Sequence, residues 1–150
     1  VKVAFYNIGS VMDEKITFVV MVSRYQGRWI LVRHKERATL EIPGGHREPL
    51  ENLEEAASRE LFEETGAKES RLCPVCIYSV SSGEKVSFGK LYFAEVETMG
   101  QLPESEIKEV FFEKDFPKDN LTYPLIQPFL YKKVTEYLDE PRLVDAVDPK

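Results

Sequence analysis

At 150 residues, with 43% hydrophobic and 31% charged side chains, the chain is long enough for one domain around a single sizeable core and too apolar for disorder. A formal net charge of −6 argues against a protein that grips DNA or RNA chiefly by neutralising phosphates, although a bound divalent cation would reverse the local field for a small phosphate ligand. No apolar run reaches the length of a membrane-spanning helix, and "VKVAFYNIGSVMDEK" lacks the apolar centre of a secretory signal, so a cytoplasmic protein without a membrane partner is expected.

In chain order, "KITFVVMVSRYQGRWILVRHK" reads as a hairpin, two β-branched and aromatic runs turning at Gly27. "TLEIPGG" is a short strand stopped by Pro43, Gly44 and Gly45. A helix follows from Asn52 to Thr65, with Gly66 as its C-cap. A strand from Val75 to Val80, a turn at "SGEK" and a strand in "VSFGKLYFAEVE" come next. After the polar connection "MGQLPESEIK", "EVFFE" is a further strand, and "YPLIQPFLYKKVTEYL" is a C-terminal helix in which Pro128 marks either a kink or a later start. The closing "DEPRLVDAVDPK" reads as a loose tail. Strands outnumber helices, which predicts an α/β fold, a mixed sheet with one helix on each face. Cys73 and Cys76 lack the further ligands of a zinc site and lie in an extended stretch, so two packed thiols are expected.

The first helix breaks local rules. At about 100° per residue, Leu53, Ala56, Ala57 and Leu61 share the side that should pack, and Glu60 and Glu64 fall on that same side with Glu63 at its edge. Three like charges spaced i, i+3, i+4 near a helix C-terminus repel one another and oppose the helix dipole. A solvated acidic face is one reading. The other is a divalent-cation site: Mg²⁺ takes oxygen ligands, keeps waters, and is commonly held by one or two carboxylates plus substrate phosphates.

The glycines sharpen that second reading. Gly45, then Glu51 after five residues, then Arg59-Glu60-Leu61-Phe62-Glu63-Glu64-Thr65-Gly66-Ala67 after seven more, resembles the signature of the Nudix hydrolases. Ala67 stands where the family prefers a larger aliphatic residue, and Pro49-Leu50 precedes Glu51 where many members have glycine. The resemblance implies a Nudix-fold α/β/α sandwich, spanning the whole chain as one domain, that hydrolyses a nucleoside diphosphate linked to another moiety with Mg²⁺ or Mn²⁺ and an attacking water. By position it implies Glu60, Glu63 and Glu64 as metal ligands with the Gly44 carbonyl, Glu60 doubling as base, and Glu51 paired with Arg59 to orient loop and helix. Glu106 is the candidate for a ligand or base outside the box, with Glu104 and Glu109 as competitors and a polar loop as the alternative.

Arg33, Arg37 and His46 are the candidate phosphate contacts, each alternatively a surface residue. In "FPKDNLTYP", which resembles the stretch where MutT-like members place Asn or Asp against a purine, Asn120 is the base-reading candidate, with Asp119 second and Tyr123 for stacking. A turn-forming Asn competes with that role. The implied substrate is a nucleoside triphosphate, 8-oxo-dGTP among them. Dinucleoside polyphosphates or nucleotide sugars are the alternatives, and a non-catalytic nucleotide sensor is the alternative of another class. Many family members pair through their sheets or N-terminal segments, which leaves a homodimer open.

Overall fold

The computed structural model describes residues 1–140; beyond Glu140 the tail read as loose lies outside the described residues. The elements are β1 (Lys2–Tyr6), β2 (Ile16–Tyr25), β3 (Arg28–His34), β4 (Gly44–His46), α1 (Leu53–Thr65), β5 (Ala67–Ser82), β6 (Lys85–Met99), β7 (Ile107–Glu113) and α2 (Gln127–Asp139). The sheet order is β1-β5-β6-β2-β3-β7, with β4 added to β2. β2 runs parallel to β6, and the other strand pairs are antiparallel.

Both faces of the sheet are covered, which explains why β2 reads as a continuous apolar run instead of an alternating one. Its Val19 and Met21 pack with Leu53, Ala56, Ala57 and Leu61 of α1. Its Val20 and Val22 pack with Leu130 and Val134 of α2 on the other face. The expected sandwich is therefore present, one helix to each side. Removing a side chain as enclosed as Leu61 would cost roughly 2–5 kcal/mol.

α1 is fixed at both ends. Asn52 caps it in a reciprocal capping box with Glu55, and Gly66 closes it in the left-handed conformation at φ 81°. A Cβ on Gly66 would also meet the Gln101 carbonyl at 2.8 Å. Across the sheet, Tyr92 Oη donates to the Glu54 carboxylate at 2.7 Å and Lys90 Nζ does so at 3.1 Å, which fixes the first turn of α1 to β6.

Several expectations are corrected. Strand β1 was not legible, because a short edge strand half-buried on β5 carries little patterning. β5 runs far beyond Val75–Val80, since its first half, "KESRL", is largely exposed and reads as loop. In "TLEIPGG" the glycines do not stop a strand: Gly44–His46 are the strand, paired with Val20, Val19 and Phe18, while Leu40 and Glu41 form only isolated bridges. α2 begins at Gln127 with Pro128 in its first turn, so Pro128 marks a later start.

The cysteines are free, Cys76 buried and Cys73 half-buried. A bulge between Pro74 and Cys76 brings both to the α2 face, where burial pushes the Cys76 thiol up to about 11.

Candidate active site

The acidic side of α1 meets the glycine strand. The Glu60 carboxylate lies so close over Gly45 that no Cβ could stand there, and Gly44 N–H donates to Glu64 Oε1 at 3.1 Å. The strand needs glycine at both positions for different reasons: a side chain on Gly45 would displace the Glu60 carboxylate, and a Cβ on Gly44 would meet the Val19 carbonyl at 2.6 Å. Glu64 is 3% exposed, and burial, with the Glu60, Glu41 and Glu106 charges adding, raises its carboxyl to about 8 despite the Gly44 bond. Burial likewise raises Glu60 to about 7, Arg59 opposing and Glu63 and Glu106 adding. The inward stripe read from the helical wheel is real for these two. Glu63 stands at its outer edge, 48% exposed and bonded to Arg59.

Arg59 ties the loop to the helix. Its Nε and one terminal nitrogen donate to the two Glu51 oxygens at 2.6 and 2.9 Å, and that terminal nitrogen also donates to the His46 carbonyl at 3.0 Å. Its other terminal nitrogen lies 3.3 Å from Glu60. The bidentate hydrogen bond from Arg59 holds the Glu51 carboxyl down at about 2, and the same pair holds the guanidinium above its usual range.

Beside the carboxylates opens a cavity of about 420 Å³. Its polar lining includes Arg37, Glu41, Gly44, Gly45, Glu64 and Glu106, and its apolar lining includes Phe18, Tyr78, Phe88, Ile126 and Leu130. Within that apolar part lies Gln127, 6% exposed. Its Oε1 accepts the Ile42 N–H at 2.7 Å. That bond sets the amide orientation, and Gln127 is one of the residues that line the cavity.

The residues proposed from sequence divide sharply. Of the three acidic candidates before β7, Glu106 lines the cavity and its charge reaches Glu60 and Glu64. Glu104 pairs with Lys35 and Glu109 with Arg33 instead. Arg37 and His46 line the cavity, whereas Arg33 does not; it bonds Glu109 and the Arg37 carbonyl. Asn120 does not line it either: it sits in a left-handed turn at φ 60° with its amide on the Ala38 carbonyl, as the turn explanation requires. Asp119 is also absent from the lining, and Tyr123 is part of it.

Sequence reasoning missed His34, Glu41 and Gln127. Glu41, 6% exposed, is contacted by His34 Nε2 at 3.2 Å and by an Arg37 nitrogen at 2.6 Å. Its only local signal was a carboxylate between two apolar residues, Leu40 and Ile42. Gln127 carried none.

The structure is a mixed sheet between two helices, with the carboxylates of α1 set against a glycine strand. Residues 13–132 match the model of the NUDIX domain, and the chain belongs to that family. It is thus a Nudix hydrolase domain. A Bacillus subtilis (strain 168) protein named "Putative 8-oxo-dGTP diphosphatase YtkD" is 43% identical over 81 residues, 54% of this chain and 51% of that protein. The match thus spans about half the length of that curated relative.

Among solved structures, a mutant of the Bacillus subtilis pyrophosphohydrolase BsRppH superposes with a TM-score of 0.76 at 30% identity, covering 90% of each chain. A NUDIX hydrolase from Nitrosomonas europaea shares the fold at a TM-score of 0.66 and 20% identity, over 82% of this chain and 90% of that one. No helix among the described residues is long and apolar enough to cross a membrane.

Proposed function

We propose that the protein is a divalent-metal-dependent pyrophosphatase that splits a nucleoside triphosphate into monophosphate and pyrophosphate. Its preferred class is 6-oxo purine nucleotides, 8-oxo-dGTP among them. The observation behind this reading is that the buried Glu64 carboxylate, with Glu60 beside it on α1, and an apolar wall carrying Gln127 meet at one cavity. The relative named for 8-oxo-dGTP and the neighbour named as a pyrophosphohydrolase support it.

The donor set fits Mg²⁺ or Mn²⁺. Among the described residues no group of three or more acidic, His or Cys side chains is drawn together to hold a metal ion; the support is chemical, since carboxylate oxygens, water and phosphate oxygens are the donors Mg²⁺ takes. Glu60, Glu63, Glu64, Glu106 and the Gly44 carbonyl would hold the cation. Two buried carboxyls raised toward neutrality by burial and mutual repulsion are what such a cation relieves, with release of their protons. When bound, it neutralises charge on the phosphate oxygens and acidifies water.

The chain's own groups do the rest. Glu60 on α1 is one candidate to take a proton from water, and Glu106 on the cavity wall is the other. Arg37 and His46 meet the phosphate chain. Tyr78, Phe88 and Leu130 enclose the base, and Gln127 Nε2 donates to an acceptor on its edge. A purine 6-oxo group accepts there, whereas a 6-amino group offers a second donor. The free thiols suit a cytoplasmic location.

The test is a nucleotide panel, with and without Mg²⁺, read by product identity. Monophosphate and pyrophosphate are expected from dGTP-type substrates, and only with metal. Release from dinucleoside polyphosphates or nucleotide sugars alone would move the substrate class. Binding by calorimetry with no product from any nucleotide would make the domain a sensor.

A further inference from the structure

We propose that Glu41 is a positioning residue for the substrate's phosphate chain: it holds the Arg37 guanidinium at the cavity, with His34 beside its other carboxylate oxygen. The proposal rests on the reading that nucleotide phosphates enter this cavity, and it adds a residue outside the Nudix box.

The backbone of Glu41 is clamped by two hydrogen bonds with Val32, N–H to carbonyl in both directions at 2.9 Å. Its side chain therefore has a fixed origin. One carboxylate oxygen accepts from Arg37 at 2.6 Å, and the other lies 3.2 Å from His34 Nε2. The group is 6% exposed, between the apolar Leu40 and Ile42. A carboxylate in such a place is expensive to desolvate unless paired, and an apolar residue would serve the packing as well or better.

Arg37 supplies the reason to keep it. The residue lies in the exposed turn between β3 and β4, its side chain 41% exposed, yet it lines the cavity. Among the described residues its only side-chain hydrogen bond is the one to Glu41. A guanidinium has five donors, so most remain for phosphate oxygens. Without the anchor a long exposed side chain would have to be ordered at the moment of binding, which weakens affinity. His34 Nε2 also lies 3.9 Å from Glu64 Oε2, so the same anchor adjoins the carboxylate pair of α1.

A double-mutant cycle on the full chain tests this, with Glu41→Gln, Arg37→Gln and the pair, assayed in Mg²⁺. Each single substitution should raise KM, and Kd for a non-hydrolysable triphosphate, by about 10-fold, with kcat within about 3-fold. The double variant should be no worse than the worse single one, because Glu41 acts through Arg37. Affinity for the unphosphorylated nucleoside should not change. Glu41→Asp, which keeps the charge but withdraws it, should fall between wild type and Glu41→Gln; it also serves as the partner in the cycle if Glu41→Gln fails to fold.

Additive losses, a fall in kcat at constant KM, or an unchanged or lower KM in Glu41→Gln would each overturn the proposal. Should wild type bind triphosphates but hydrolyse none, the proposed activity falls, and the same cycle read on Kd alone still decides the role of Glu41. A wild type that binds no triphosphate at all overturns this inference as well.

Discussion

The two ends of the cavity are built in different ways. The acidic end comes from one short strand and the helix that follows it, Gly44 to Glu64, a single continuous stretch of chain closed on itself by contacts such as Gly44 N–H to Glu64. The apolar end draws Phe18 from β2, Tyr78 from β5, Phe88 from β6, and Gln127 and Leu130 from α2. Under the proposed function the end made by nearby residues would carry the chemistry, and the end made by long-range packing would choose the substrate.

The largest expected effect falls on the acidic end. Glu60→Gln and Glu64→Gln should each lower kcat by about 10³-fold at saturating Mg²⁺, with the fold retained, because each removes a charge that balances the cation or accepts the proton. Pyrophosphate release measures this, and wild-type turnover in both variants would remove the acidic end from the chemistry.

The same end should be a burden to the metal-free protein. Carboxyls raised from 4.5 to about 7 and about 8 mean that the folded state binds more protons than the unfolded one in that interval. Stability should then fall as pH rises through the interval. Glu64→Gln should accordingly add ~2–4 kcal/mol near pH 8.5 and almost nothing near pH 5. Denaturant melts in a chelator test the sign. Mg²⁺ should restore stability to wild type and do little for the variant.

At the other end, effects should appear in selectivity. Gln127→Glu keeps a partner for the Ile42 N–H but replaces the donor with an acceptor, and should shift the ratio of kcat/KM for 6-oxo over 6-amino purine nucleotides by ~10- to 100-fold toward the amino class. An unchanged ratio would detach Gln127 from the base. The smallest effect is reserved for Asn120→Gly: KM within ~2-fold of wild type and stability within ~0.5 kcal/mol, since its backbone is already left-handed and its amide serves the turn.

The sequence by itself determined the acidic half. A helix with Leu53, Ala57 and Leu61 on one side and Glu60 and Glu64 on that same side, preceded by paired glycines, can be read without coordinates, because helical periodicity and turn chemistry are properties of adjacent residues. The sandwich with a helix on each face followed from the same patterns. Only the tertiary structure decided that Glu41 lies between His34 and Arg37, that Glu106 and not Glu104 or Glu109 lines the cavity beside Glu64, and that Gln127 and not Asn120 lines its apolar part. Those choices depend on sheet order, on the paths of exposed loops and on the one-turn delay that Pro128 imposes on α2. Most of them relate residues tens of positions apart, and even the Arg37–Glu41 pair, four positions apart, lies in a loop that no helix or strand periodicity describes.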